Sequence, residues 1–108
     1  MQPTLIYFIE GIGTGQTKIG KSIQPGRRVA QLQTGNPASL RLLATVQAEE
    51  RDLHRFFAPF RLQGEWFENN PALDAMIEHC RQHGSLPPHE QWMAMFDRDN
   101  VIQEALRN

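Results

Sequence analysis

The chain has 108 residues, 40% of them hydrophobic and 21% charged, a size and composition that exclude a two-domain enzyme and favour one small domain. Its single cysteine, Cys80, excludes an intramolecular disulfide and a Cys-x-x-Cys metal or redox pair, and Leu5–Ile9 is too short for a signal-peptide core or a membrane span. We therefore expect a cytoplasmic protein without membrane contact. The net charge of −1 is unevenly distributed: residues 1–67 carry eight Lys or Arg against five Asp or Glu, and residues 68–108 carry three against seven. The first part is the expected anion-binding part.

Two strands joined by glycines are predicted at the start of the chain. Leu5–Glu10 is rich in β-branched and aromatic residues, Gly11–Gly15 contains three glycines, and residues 16–20 are strand-like again. We predict a β-hairpin with a glycine-rich loop.

The middle of the chain predicts a helix, a strand and a second helix. Pro25 suits the first turn of a helix that ends just before Gly35. Residues 40–46 are apolar on both faces, as in a central strand. The segment 49–60 has the i, i+3, i+4, i+7 apolar spacing of an amphipathic helix, which Pro59 is expected to kink or close.

The last part predicts a capped helix and an appended one. Asn70 caps a helix that Gly84 ends, and residues 89–107 have loosely helical spacing. The element order predicts an α/β (α+β) domain at residues 1–84, with a three-stranded, mostly antiparallel sheet flanked by helices. Residues 85–108 are expected to form a linker and an extra C-terminal helix.

Two motif matches have simpler explanations. Residues 15–22 satisfy the P-loop expression G-x-x-x-x-G-K-[ST], but a P-loop needs a helix that starts near its lysine. Thr17–Ile19 alternates like a strand, and Pro25 would fall inside the required helix. His79 and His83 have the spacing of metal ligands, but no second ligand pair follows, so a helix end carrying histidines is the simpler interpretation.

A wider set of side chains has the types used in phosphodiester chemistry. A carboxylate can hold a divalent cation, a guanidinium can stabilise charge on phosphoryl oxygens, and a phenol or imidazole can move a proton. Each residue also has an ordinary explanation, such as strand packing, a solvated basic face or an acid in the first turn of a helix. The residues alone therefore indicate a phosphate site and no more. They are Tyr7, Lys18, Lys21, Arg28, Glu50 and His54.

The same positions carry a resemblance to a known family. Ile6–Phe8 and Lys18–Gly20 have the separation of two motifs in a hairpin, and Arg28 follows on the next predicted helix. Glu50 begins the segment Glu50–His54, which precedes a proline-bearing turn. In this order the residues resemble the GIY-YIG nuclease superfamily.

A closer resemblance is to the phage-associated DNA-binding group that also includes the meiotically up-regulated domain. Its second motif is a lysine-isoleucine-glycine variant, as in this chain. The further shared segments are QLQTGNP at residues 31–37, LHRF at residues 53–56 and GEWF at residues 64–67. The resemblance extends over residues 4–83.

The resemblance implies divalent-metal-dependent cleavage of DNA. If these residues have the roles of the matching family positions, Glu50 binds Mg²⁺ or Mn²⁺, Arg28 stabilises the scissile phosphate and Tyr7 helps to activate the attacking water. Lys18 replaces the second tyrosine of the family; a lysine is a poor proton acceptor but can neutralise an anionic oxygen. We hypothesise that His54, one turn after Glu50, takes over proton transfer. The resemblance implies that Lys21 contacts phosphate. Arg27, Arg51 and Arg55 belong to local clusters of basic residues and are the further predicted DNA-binding residues.

Other expectations at this site concern the segment 64–67. Glu65 either stands in for the asparagine that often follows the proline turn of the family or is structural. Trp66 and Phe67 are expected to be core residues that close the sheet, with stacking on nucleic-acid bases as the alternative.

The predicted function is therefore a divalent-metal-dependent DNA endonuclease. One alternative is a catalytically degenerate DNA-binding module of the same fold, which Lys18 would permit. Another is a protein-interaction domain, or a homodimer, that docks through residues 89–107. Steep salt dependence of DNA affinity is expected for both DNA-binding alternatives and not for the last.

Overall fold

The first two strands form the predicted hairpin. A computed structural model describes residues 2–95 of the chain. In it, β1 (Leu5–Gly11) pairs antiparallel with β2 (Gln16–Ser22). Gly13 and Gly15 have positive φ angles of 80° and 72°, which a residue without a Cβ adopts at little cost. The hairpin and its glycine-rich loop are confirmed.

The helices begin and end where the sequence signals predict. They are α1 (Pro25–Gln33), α2 (Glu50–Phe56) and α3 (Pro71–His83), and the 3₁₀ turn Ala58–Phe60 follows α2 at the predicted proline break. At the start of α3, the Asn70 side chain accepts a hydrogen bond of 2.9 Å from Leu73 N. Gly84 ends α3 with a φ of 71°. This cap and this stop satisfy helix-end groups that would otherwise lack partners.

Among residues 2–95 the sheet has five strands, so the predicted number of three is wrong, whereas the predicted antiparallel pairing is confirmed. The remaining strands are β3 (Leu40–Val46), β4 (Arg61–Gln63) and β5 (Trp66–Glu68). The strand order is β3-β1-β2-β5-β4, and every pair is antiparallel. The strands β4 and β5 were missed because three residues are too few to show an alternating pattern.

The predicted central position of the third strand is also wrong, because β3 lies at an edge of the sheet. Its apolar residues on both faces have another cause: β3 contacts both α1 and α3. An edge strand that contacts two helices has the same two-sided apolar pattern as a central strand.

The P-loop match lies on β2, as the structural interpretation of that segment predicted. β2 continues to Ser22, and α1 starts only at Pro25. No helix therefore begins at Lys21, and its backbone does not form a phosphate cradle.

The main core lies between one sheet face and the helices α2 and α3. Ile6 and Phe8 of β1 point to this face, whereas Tyr7, between them, points to the opposite face. Phe67 is fully buried in this core, as predicted, whereas Trp66 is only partly buried. The core residues from the helices are Leu53 of α2 with Ala72, Leu73, Met76, Ile77 and Cys80 of α3, and Phe57, which directly follows α2, packs with them.

The segment after α3 contributes to the same core. Residues 89–95 are helical, and Trp92 is buried with its Nε1 donating a hydrogen bond of 2.8 Å to the Pro87 carbonyl. A dimer or partner contact through residues 89–107 would therefore use side chains other than Trp92. The rest of that predicted helix, residues 96–107, lies outside the described residues. Within residues 2–95, no helix has the length and apolar character needed to cross a bilayer.

Candidate active site

The sheet leaves the edge of β2 open next to Gly20. β5 pairs with β2 only from Gln16 to Lys18, and one further backbone hydrogen bond, 3.0 Å long, joins Ile19 N to the Glu65 carbonyl. The Ile19 carbonyl, which faces the same side, is 2.8 Å from His54 Nε2. A side chain of α2 thus takes the place of a neighbouring strand. We call this place, with the side chains around it, the β2-edge site.

Tyr7 reaches this site across Gly20. The two residues are directly paired in the ladder between β1 and β2. A Cβ at position 20 would lie 2.8 Å from Tyr7 Cε1 and closer still to the hydroxyl. The lysine-isoleucine-glycine motif therefore ends in glycine for a steric reason: the tyrosine side chain occupies the space next to the backbone.

The surroundings of the Tyr7 hydroxyl define its protonation. Burial raises the pKa of Tyr7 above its ordinary value, and the Arg28 guanidinium beside the hydroxyl opposes this rise. The negative charges of Glu65 and Glu50 raise the pKa further. At neutral pH Tyr7 is therefore a protonated phenol, which can donate or accept a hydrogen bond but does not serve as a phenolate base.

Arg28 lies on α1 and approaches Tyr7 from the face opposite the main core. Its side chain is exposed, and Nη1 is 3.5 Å from Gln31 Oε1. An exposed guanidinium beside a buried phenol can accept a phosphate from solvent while remaining next to the site.

Glu50 and His54 lie one turn apart on α2. His54 Nε2 is 3.6 Å from Glu50 Oε1, and both side chains are largely buried. A carbonyl oxygen can only accept a hydrogen bond, so the contact with Ile19 requires that His54 Nε2 carry a proton. In this arrangement the ring nitrogen free to accept a proton is Nδ1. The imidazole also ties α2 to β2, which holds Glu50 at the sheet edge.

Lys18 and Glu65 complete the site from β2 and from the turn between β4 and β5. Lys18 Nζ lies 3.8 Å from Glu65 Oε1 and 5.8 Å from the centroid of the Trp66 ring. Only 9% of Lys18 is exposed, so its charge needs a nearby opposite charge. Glu65 supplies that charge.

Three side chains of the site have the chemistry to hold a cation. Donor atoms of Glu50, His54 and Glu65 all lie within 4.8 Å of one another. The two carboxylates suit a hard divalent cation such as Mg²⁺ or Mn²⁺, which prefers oxygen ligands. His54 Nε2 donates to Ile19 and does not offer a lone pair, so the carboxylates of Glu50 and Glu65 are the better ligand pair.

Basic side chains lie on both sides of the β2-edge site. Lys21 and Arg51 line a groove together with Glu50 and His54 on the α2 side. Arg27 lines a second, smaller groove with Arg28 along α1. The remaining predicted DNA-binding residue, Arg55, is exposed on α2.

The fold thus brings the predicted catalytic residues together with two others, Gly20 and Glu65, that sequence reasoning named but did not place in the catalytic set. Gly20 was treated as a motif letter, although its missing side chain is what lets Tyr7 reach the site. Glu65 was predicted either to stand in for the family asparagine or to be structural; its carboxylate lies 3.8 Å from Lys18 Nζ and within 4.8 Å of donor atoms of Glu50 and His54. The GEWF segment signalled Glu65, but only the pairing of β5 with β2 shows what it contacts.

The fold and the site are those of a small α+β domain with an antiparallel sheet and a charged pocket at one strand edge. The T5orf172 domain matches residues 4–103 of the chain. Because this match covers most of its length, the chain belongs to the T5orf172 domain family. Neither the curated proteins nor the solved structures contain a match to the chain.

Proposed function

We propose that the chain is a divalent-cation-dependent DNA endonuclease of the GIY-YIG type that acts in the cytoplasm. The observation that carries this proposal is the meeting of Tyr7, Arg28 and Glu50, from three different elements, at one open strand edge. Membership of the T5orf172 family supports it, because this phage-associated domain is often linked to nucleases.

The reaction is hydrolysis of a phosphodiester. The water oxygen bonds to phosphorus, the bond from phosphorus to a deoxyribose oxygen breaks, and a proton passes from the water to the leaving oxygen. Arg28 stabilises the charge that develops on the phosphoryl oxygens. Tyr7, as a protonated phenol, orients the water by hydrogen bonding, and His54 Nδ1 is the proposed proton acceptor.

The cation in this proposal is Mg²⁺ or Mn²⁺. Glu50 would hold it, with Glu65 as the second carboxylate within reach. When bound, it supplies positive charge that neutralises the phosphate during cleavage. Glu50 is positioned for this role by the His54 contact with the β2 backbone.

DNA reaches the site through its phosphates. Lys21 and Arg51 line the groove that contains Glu50, and Arg27 extends the basic surface beside Arg28. Arg55 adds a further exposed charge on α2. Binding through such contacts falls as salt rises, because each neutralised phosphate releases counterions.

Cleavage of supercoiled plasmid and of branched oligonucleotides with Mg²⁺ or Mn²⁺ tests the proposal. We expect Glu50→Gln and Arg28→Ala each to lower the cleavage rate by about a hundredfold or more. Glu49→Gln is the matched control for Glu50, because Glu49 precedes it and is absent from the carboxylate cluster. Arg81→Ala on α3 is the control for Arg28. Cleavage that survives Glu50→Gln would contradict the proposed ligand.

A DNA-binding module without cleavage is the second candidate. The observation that favours it is the Lys18–Glu65 ion pair at the position of the second tyrosine of the family. Tyr7 is the only tyrosine in the chain, so no other phenol can replace the missing one. Salt-sensitive DNA binding without metal-dependent cutting would favour this candidate.

A further inference from the structure

Lys18 lies in the sheet between β1 and β5, and most of its side chain is buried. Its stem is buried on the same sheet face as Ile9 and Trp66, its direct partners in the neighbouring strands. Only the end of the side chain faces the site, where Nζ is 3.8 Å from Glu65 Oε1. A charge-assisted hydrogen bond is usually about 2.7–2.9 Å long. Lys18 and Glu65 therefore attract each other without a tight hydrogen bond.

Glu65 also belongs to a second group. Its carboxylate lies within 4.8 Å of the donor atoms of Glu50 and His54. Two carboxylates this close repel each other, and the ammonium of Lys18 compensates part of that repulsion. A divalent cation between Glu50 and Glu65 would compensate it more completely. Lys18 and the cation are therefore competitors for one carboxylate.

We infer that Glu65 exchanges partners: it pairs with Lys18 in the cation-free protein and turns to the cation in the loaded protein, which releases the Lys18 ammonium to a DNA phosphate. This inference rests on the proposed function, because it uses the same site. In this exchange Lys18 supplies a positive charge to Glu65 or to a phosphate, which a neutral tyrosine at this position would not supply. It also couples DNA binding to cation binding through one side chain of the turn between β4 and β5.

Cation affinity provides the first test, with Mn²⁺ binding to the full chain measured by titration calorimetry. Lys18→Met keeps an apolar stem and removes the competitor, so we expect it to tighten Mn²⁺ binding about threefold or more. Lys18→Arg should weaken binding, since a guanidinium can hold a carboxylate with two hydrogen bonds. Glu65→Gln should weaken binding about tenfold. Far-ultraviolet circular dichroism checks the fold of each variant.

The combination of variants separates exchange from simple charge repulsion. In the Glu65→Gln background, Lys18→Met should no longer tighten Mn²⁺ binding. Lys21→Met is the matched control, because Lys21 lines the groove beside Glu50 and has no ion pair with Glu65. Its effect should be equal in both backgrounds. Equal effects of Lys18→Met in both backgrounds, or no effect in either, would overturn the inference.

DNA affinity provides the second test, with a phosphorothioate-linked duplex that resists cleavage. With saturating Mn²⁺, the plot of log affinity against log salt concentration should be steeper for the wild type than for Lys18→Met by about 0.9, the value of one phosphate contact. Without Mn²⁺ the two slopes should be equal, because Lys18 is then paired with Glu65. A difference that is independent of Mn²⁺ would overturn the inference. If plasmid cleavage is absent while these shifts occur, the nuclease proposal fails and the partner exchange stands.

Discussion

Tyr7 and Gly20 face each other across β1 and β2, and the tyrosine ring lies where a side chain at position 20 would be. The phenol can therefore pass over the backbone of β2 towards the open strand edge. Its raised pKa reflects its burial together with the carboxylates of Glu65 and Glu50 beyond that edge. Because Gly20 has no side chain, Tyr7 on the α1 face of the sheet can approach Glu50, which lies on α2.

Substitution of Gly20 should be costly. We expect Gly20→Ala to lower the free energy of unfolding by about 1–3 kcal/mol, because the new methyl group overlaps the Tyr7 ring and forces it to move. Gly26→Ala is the control: Gly26 lies in α1 with open space around it, and alanine is the better helix former by about 1 kcal/mol. Denaturant unfolding measures both variants. Equal stability of Gly20→Ala and wild type would contradict the close packing.

The buried phenol should make stability depend on alkaline pH. The raised pKa of Tyr7 means that the folded state retains the proton longer than the unfolded state does. The Tyr7 contribution is complete below about pH 10, the value for an unfolded tyrosine, and is lost as the pH rises through the folded pKa. Tyr7→Phe should therefore lose less stability than the wild type over this range. Since Tyr7 is the only tyrosine, its phenolate absorbance reports the titration directly; a midpoint at or below the ordinary value would refute the prediction.

His54 should have a structural role that can be separated from a chemical one. We expect His54→Ala to lower the free energy of unfolding by about 1–3 kcal/mol, because the Ile19 carbonyl loses its partner. His54→Gln offers an amide N–H at a similar reach and should recover much of this loss.

Cleavage by the same two variants then tests proton transfer. Both should be inactive if His54 Nδ1 accepts the proton, since a glutamine amide is not a base. Activity restored by glutamine would show that the imidazole only positions Glu50. Retained activity in His54→Ala would exclude both roles.

Cys80 should be unreactive in the folded protein. Its side chain is buried in the core on α3, and burial raises the pKa of the thiol to about 11. At neutral pH both the low thiolate fraction and the lack of access prevent disulfide exchange. Labelling by an aromatic disulfide should therefore be slow in buffer and fast in denaturant. Rapid labelling in buffer would show that α3 is not packed as described.

Local sequence patterns predicted much of the fold. The hairpin follows from alternating β-branched residues around glycines, and α3 follows from a capping asparagine and a terminal glycine, because such signals act within a few residues. The predicted number of strands was wrong because strands as short as β4 and β5 carry no such local signal. β4 and β5 are stabilised by their pairing with each other and with β2, not by a pattern of their own.

The candidate site likewise has features that the local sequence predicts and contacts that only the tertiary structure determines. The resemblance to a known family indicated Tyr7, Arg28 and Glu50 as site residues, and local sequence patterns predicted the hairpin and the helices that carry them. The contact of Lys18 with Glu65 was not readable, because residues so far apart in sequence meet only through strand order. The pairing of β5 with β2, and the point at which that pairing stops, place Glu65 beside both Lys18 and Glu50 and leave the Ile19 carbonyl for His54.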